Sequence, residues 1–320
     1  MRYAVTGSNG LVGKALTLKL ANEGHSVVAI VRNENPSEFL DHEYIELAKG
    51  DIQDIEFLKQ TFRNIDGVFH VAAFAKPWAK DPSIYYDVNE LGTRNVCEAC
   101  VKNGVKRMVY TASAGIHGPQ QNGKLIDENT WPKAYHTDYE QSKYNGMQAA
   151  LEFESKGLEV NVVSPGRVYA PGKASESNVP MRMVNIYLKR KFGLAPTDGS
   201  GIGSYVHIDD VISGHCIVMD CTEHGEEFLL GGENLTYIEF FEVLAEVTGK
   251  RYPVIKVPYA LSLLIGKVNL LLAENFGIKP TITTPWVRRY LKYWGVNSDK
   301  LKQLGFEPRS LKQGLSETKD

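Results

Sequence analysis

The chain has 320 residues, 43% hydrophobic and 23% charged, with 36 lysines and arginines against 38 aspartates and glutamates and a net charge of -2. That length admits one large or two modest domains around a sizeable core, and the balanced charge gives no electrostatic pull toward nucleic acid. No basic-then-apolar leader precedes the first apolar run and four cysteines show no disulfide spacing, so a cytoplasmic protein is expected.

The first element is a strand over Arg2–Thr6, followed at once by Gly7-Ser8-Asn9-Gly10-Leu11-Val12-Gly13 and by a helical period at Leu11, Ala15 and Leu18 that ends near Gly24. Strand, glycine turn and helix form the context that a dinucleotide-binding turn requires. Gly7 suits the tight turn, Gly10 lets backbone approach a pyrophosphate, and Gly13 lets the helix pack close to the sheet, with the phosphates at the positive helix end. The spacing is G-x-x-G-x-x-G, and Asn9, Leu11 and Val12 are assigned to the same cofactor-binding turn.

Further strands are expected at 26–31, 44–47, 67–71, 107–111 and 159–163, with helices at 55–62, 83–103 and 137–156 between them. Strands joined by crossovers of this length imply an α/β fold with a Rossmann-type, doubly wound parallel sheet, which binds ligands at the carboxyl ends of its strands. The alternation breaks after Pro165, where Gly and Pro punctuation leads to helices at 181–192, 210–219 and 237–248 and a strand at 227–230. The expected organisation is a dinucleotide-binding domain over 1–165, to which 204–231 returns. A smaller, mostly C-terminal α/β substrate-binding lobe then comprises 166–203 and 232–320.

The end of the second strand is where a carboxylate would bind the ribose hydroxyls of NAD, and here Val31 is followed by Arg32. A guanidinium at this place can pair with a 2′-phosphate, so the expected cofactor is NADP(H), with NAD(H) as the alternative and Glu34 as the residue most able to reverse the preference. Asp51 has two readings, a cofactor contact or the N-cap of the next helix.

Ser113 follows the strand at 107–111, at the carboxyl edge where the cofactor belongs. Tyr139 and Lys143 stand four apart on one helix face, where the ammonium can lower the phenol's pKa toward the working pH and make it a proton donor or acceptor at a carbonyl or alcohol carbon.

Other patterns read as structural. Cys97 and Cys100 form a C-x-x-C inside a helix with no second pair, and no histidine pair has ligand spacing, so no metal is expected. Residues 259–273 are leucine-rich but include Lys267 and Asn269 and fall short of a bilayer span, so a core or pocket helix is expected, with contact to a membrane surface as the alternative.

Taken together, the TGSNGLVG turn, Gly50-Asp51-Ile52, VFHVAA over 68–73, Asn89 in VNELGTRNV, Ser113, YEQSK, SPGRVYAPG from Ser164 and VHIDDV from Val206 resemble the extended short-chain dehydrogenase/reductase family over nearly the whole length. That group includes nucleotide-sugar epimerases and dehydratases. The closest pattern is that of dihydroflavonol reductase and 3β-hydroxysteroid dehydrogenase-like members.

The resemblance implies that Tyr139 donates and accepts the proton, that Lys143 binds the nicotinamide ribose and depresses the tyrosine pKa, and that Ser113 orients the substrate oxygen. It implies that Asn89 supports the site from the neighbouring helix, that Asp51 and Ile52 edge the adenine, and that Val71, Ala72, Ala73, Pro165 and Val168 line the cofactor path. His117 and His207 receive no catalytic task.

Ala114 and Gly115 replace the acidic pair of the family's dehydratases, and Ser204 before Tyr205 replaces an arginine that binds substrate pyrophosphate in many epimerases. The expected pocket is therefore apolar, from Phe74, Trp78, Tyr169 and the segment near Leu263. The expected activity is NADP(H)-dependent reduction of a carbonyl, or oxidation of a secondary alcohol, on a hydrophobic or aromatic small molecule. A nucleotide-sugar epimerase and a non-catalytic NADP(H)-sensing regulator are the alternatives. The resemblance also implies a homodimer through helices 83–103 and 137–156, with a monomer as the alternative.

Overall fold

Short valine- and isoleucine-rich runs separated by helices leave each strand with two faces to cover, and a parallel sheet with helices on both sides satisfies that demand. The computed structural model describes residues 1–32, 41–120, 123–170, 178–290 and 293–317; Glu34, Pro171 and Gly172 lie outside them. The strands are β1 (Arg2–Thr6), β2 (Ser26–Val31), β3 (Ile45–Lys49), β4 (Gly67–His70), β5 (Arg107–Thr111), β6 (Glu159–Pro165), β7 (Arg167–Tyr169), β8 (Gly193–Pro196), β9 (Ile202–His207), β10 (Glu227–Leu230), β11 (Glu233–Thr236) and β12 (Val254–Val257).

Among the described residues, a seven-stranded sheet runs in the order β10-β6-β5-β4-β1-β2-β3, parallel throughout. The connections reverse direction between β1 and β4, and a crevice opens outside the carboxyl ends of the strands at such a point. β7, β9 and β11 form a second, three-stranded sheet, and β8 pairs with β12. β10 thus joins the large sheet, whereas β9 pairs in the small one.

Two apolar clusters cover the large sheet. One is built around Val68, Met108, Val96, Cys97, Cys100 and Met147, the other around Val5, Phe69, Leu16, Val211 and Phe228. Cys97 and Cys100 are fully buried free thiols, and burial pushes both pKa values up. They fill space, as small apolar side chains do.

The differences from sequence expectation have local causes. Helix Leu11–Asn22 buries Gly13, Leu16, Thr17 and Leu20, so its core face is rotated from the Leu11, Ala15, Leu18 period. The helix read at 83–103 is one run that widens into a π-turn over Asp87–Leu91, around Asn89. Such bulges shift a side chain's direction and recur at functional sites. The helix read at 137–156 starts under a Thr137 cap and tightens to a 3-10 turn from Glu152 to Lys156. Asp54 caps helix Ile55–Thr61, accepting from Glu56 and Phe57 N–H groups at 3.1 and 3.0 Å, which removes the capping reading of Asp51.

Candidate active site

The glycine turn is held by sterics. Gly7 has φ of 71°, and a Cβ there would meet the Ala72 backbone at 2.8 Å; one on Gly13 would meet the Gly7 carbonyl oxygen at 2.3 Å. The turn, the end of β4 and the first turn of helix Leu11–Asn22 therefore approach so closely that side chains are excluded. This cradle places the helix's free N–H end at the crevice, as a pyrophosphate requires. A dinucleotide fits the residues present.

Beneath the turn, Thr6 Oγ1 accepts from the Val71 and Ala72 N–H groups, both at 3.1 Å, and lies 2.7 Å from His70 Nδ1. His70 Nε2 is 3.0 Å from Thr93 Oγ1, which donates to the Asn89 carbonyl at 2.7 Å. Since the Thr93 hydroxyl proton goes to the Asn89 carbonyl, His70 donates from Nε2 to Thr93 Oγ1 and accepts at Nδ1 from the Thr6 hydroxyl. Burial, with the charge of Lys143, pushes its pKa down to about 3. A neutral imidazole of fixed tautomer thus ties β1 to β4 and to the π-turn.

A cleft of about 740 Å³ runs over the carboxyl ends of the strands. It is lined by every residue assigned above to cofactor binding and also by Ser113, Tyr139 and Lys143. Asn89 is fully buried below it. Its Oδ1 accepts from Phe74 N–H at 2.7 Å, and its Nδ2 donates to the Phe74 carbonyl and to Ser142 Oγ at 3.2 and 2.9 Å. Ser142 in turn donates to the Tyr139 carbonyl at 3.1 Å. Asn89 therefore positions the first turn of helix Asp138–Leu151 and lines no part of the cleft.

Tyr139, Ser113 and Lys143 converge from two elements. Ser113 ends the β5 extension and accepts from Gly115 N–H at 3.1 Å, while Tyr139 and Lys143 come from helix Asp138–Leu151. Burial raises the Tyr139 pKa; the positive charge of Arg289 and a hydrogen bond with Ser113 oppose that rise. Lys143 is almost fully buried, donates to the Thr111 carbonyl at 2.5 Å and lies 4.2 Å over the Tyr110 ring. Burial lowers its own pKa to about 7. In this structure the lysine turns to the Thr111 carbonyl, and the charge that opposes the rise of the phenol's pKa is that of Arg289.

Arg289 was not apparent from sequence. Its Nε stands 3.1 Å from Glu140 Oε1, and its guanidinium lies 4.7 Å over the Trp286 ring and 4.8 Å over Trp294. A Cβ on Gly115 would meet its Nη2 at 2.4 Å, so the missing side chain there is what admits the arginine. The segment carrying it, TPWVRRY, has no period that signals a site, and the contact spans roughly half the chain. Arg167 and Arg182 also line the cleft. The pair Arg32 and Asp51 faces its other end, with Nη1 to Oδ2 at 3.9 Å.

The substrate side departs from the apolar set read from sequence. Phe74 packs edge-on against Tyr85 at 4.8 Å, and Tyr169 is buried against His207 at 5.2 Å. Leu263 belongs to a surface helix, and neither it nor Trp78 lines the cleft. The apolar wall comes instead from Val179, Pro180, Met183, Ile186, Leu194 and Trp286. Cationic groups stand among them: Arg167 Nη1 donates to Tyr205 OH at 3.2 Å, so a guanidinium reaches this region from β7 although Ser204 of β9 supplies none.

His117 and His207 are both held by local hydrogen bonds. Both nitrogens of buried His117 are engaged, at 2.8 Å to the Thr130 carbonyl and 2.9 Å to Glu227. His207 caps helix Ile208–Asp220 by accepting from Asp209 N–H. His207, Asp209 and Glu317 approach one another, but the Arg309 guanidinium pairs with both acids and answers their charge.

Fold and cleft together define a Rossmann-type protein with a dinucleotide crevice and a Tyr, Ser and Lys cluster at its centre. The chain belongs to the NAD dependent epimerase/dehydratase family, whose model matches residues 3–231, and whose members include oxidoreductases and epimerases. It is 28% identical to a Synechocystis sp. protein provisionally named dihydroflavonol 4-reductase, over 98% of this chain and 92% of that one. It is also 28% identical to cinnamoyl-CoA reductase 1 of Petunia hybrida, over 98% and 90%. Among solved structures, the UDP-glucose 4-epimerase of Thermus thermophilus in complex with NAD superposes with a TM-score of 0.78 at 24% identity, covering 99% and 97% of the two chains.

Proposed function

We propose that the protein is an NADP(H)-dependent oxidoreductase that reduces a carbonyl, or oxidises a secondary alcohol, on a hydrophobic or aromatic small molecule. The observation that carries this reading is the convergence of Tyr139, Ser113 and Lys143 in the same cleft as the glycine turn. The full-length likeness to proteins named as reductases supports it.

The bound cofactor supplies or receives the hydride. In this reading, Gly7, Asn9, Gly10, Leu11, Val12 and Gly13 hold its pyrophosphate, Arg32 a 2′-phosphate, and Asp51 and Ile52 its adenine. Val71, Ala72, Ala73, Pro165 and Val168 border its path.

Ser113 orients the substrate oxygen by hydrogen bonding, and Tyr139 gives or takes the proton at that oxygen through its phenolic hydroxyl. Lys143 binds the nicotinamide ribose, and its lowered pKa lets it hold or release a proton near neutrality. Asn89 positions the Tyr139 turn through Ser142. Residues 166–203 and 232–320 act as the substrate-binding lobe on the 1–165 domain, with 204–231 returning to it. Among the described residues, no helix is long and apolar enough to cross a membrane; a cytoplasmic homodimer remains the working assembly.

A second reading, nucleotide-sugar epimerase, is favoured by Arg167, Arg182 and Arg289 on the cleft wall, since guanidinium groups suit a diphosphate. Purified protein with NADPH or NADH and a panel of apolar ketones and aldehydes separates the two. Net cofactor oxidation supports the reductase, whereas interconversion of UDP-sugars without net redox change supports the epimerase.

A further inference from the structure

Helix Tyr259–Phe276 is built inside out. Only Gly266 and Ala273 are buried, and Gly266 sits so near the chain at Thr283 and Thr284 that a Cβ would meet the Thr284 nitrogen at 3.0 Å. Its small residues thus face the protein. Leu261, Leu264, Ile265, Val268, Leu271 and Phe276 fall on the opposite face at helical spacing and are 42–74% exposed. Ile255 of β12, beside the cleft-wall residue Leu194 in register, is a further exposed apolar side chain in the segment that precedes the helix. An exposed apolar stripe of this kind marks an interaction surface.

Charge selects the occupant. Residues 250–288 contain six lysines and arginines, all exposed, and one acidic residue, Glu274, in a chain whose net charge is -2. Lys256, Lys267 and Lys279 flank the leucine stripe. Apolar side chains bordered by cations match an anionic lipid surface, where the stripe enters the acyl boundary and the lysines meet headgroups. A second copy of the chain would bring the same positive charges together.

We propose that this face docks the protein onto the surface of an anionic lipid bilayer, with helix Tyr259–Phe276 lying in the interfacial plane. Thr281, Ile282 and Trp286 follow the helix within ten residues of its end and line the cleft, so the helix that docks is packed, on its opposite face, against the segment that forms the cleft wall.

The test is flotation of the full chain with vesicles of phosphatidylcholine alone or with phosphatidylglycerol added, at low and high salt. Wild-type protein is expected to float with the anionic vesicles, at least about tenfold more tightly than with the neutral ones, and to be released by salt. Leu264→Glu combined with Leu271→Glu abolishes flotation while the far-UV dichroism and cofactor affinity are retained. Lys256→Glu with Lys267→Glu removes the preference for anionic vesicles. Absence of flotation by the folded wild type, or equal flotation by the leucine variant, overturns the proposal. So does light scattering that shows a dimer broken by the leucine substitutions without any vesicle binding.

Discussion

The Arg289 guanidinium pairs with the carboxylate of Glu140, the residue next to Tyr139, at 3.1 Å, and Glu140 is 2% exposed. Glu140 Oε1 has no well-aligned hydrogen-bond donor, so charge attraction is the main tie. Removing the cation leaves a buried carboxylate uncompensated and takes away the positive charge that opposes the rise in the Tyr139 pKa. Arg289→Gln is expected to destabilise the fold by about 3–5 kcal/mol in urea titration. It also moves the pH profile of alcohol oxidation to higher pH, because the phenolate form becomes harder to reach. An unmoved profile means that Arg289 does not act on the phenol.

Arg32 is 63% exposed on its side chain and only weakly engaged by Asp51, which leaves its guanidinium available at the end of β2. Arg32→Ala is expected to weaken NADP(H) binding by about 1.5–3 kcal/mol, roughly ten- to a hundredfold, with little change for NAD(H). Fluorescence titration of both reduced cofactors measures this. An equal loss for each contradicts the assignment of a 2′-phosphate contact.

Gly146 lets helix Asp138–Leu151 pass the π-turn, since a Cβ would meet the Asn89 carbonyl oxygen at 2.1 Å and the Tyr110 hydroxyl at 2.5 Å. Gly146→Ala pushes apart the two helices that orient Asn89 and Tyr139. Thermal and urea unfolding should show a loss of about 1–3 kcal/mol. Turnover should fall more than cofactor affinity does.

His117 titrates in a defined direction. Burial lowers its pKa, but the hydrogen bond and charge of Glu227 raise it further, for a net rise above the ordinary value. Protons are therefore bound more tightly in the folded state. The stabilisation is complete below the unfolded pKa of about 6.5 and is lost as pH rises through the folded pKa. His117→Gln should accordingly cost more stability near pH 5.5 than near pH 9; equal costs would show that the imidazolium is not what Glu227 holds.

The large sheet was legible because each of its strands carries its own signal. β1, β2, β5 and β10 match their expected bounds, since a fully buried parallel strand must be apolar on both faces. The strands β7, β8, β11 and β12 are short and partly exposed, and their pairing, like that of the longer, buried β9, is set by partners distant in the chain. The same division holds at the site. The glycine turn and the Tyr139 to Lys143 spacing are local patterns, whereas Arg289 depends on Gly115 and Glu140 meeting a distant segment. Lys143 illustrates a further limit: the i to i+4 spacing placed it near Tyr139, but only three dimensions reveal the Thr111 carbonyl that holds its ammonium.

The most direct test of the account follows hydride transfer from NADPH to carbonyl substrates in a single turnover, with wild-type protein and with Tyr139→Phe. If the Tyr139 hydroxyl moves the proton, the variant loses at least about 10²-fold in the hydride-transfer rate while binding NADPH as before. Undiminished transfer by the variant would contradict the assignment of Tyr139 and, with it, the proposed reaction.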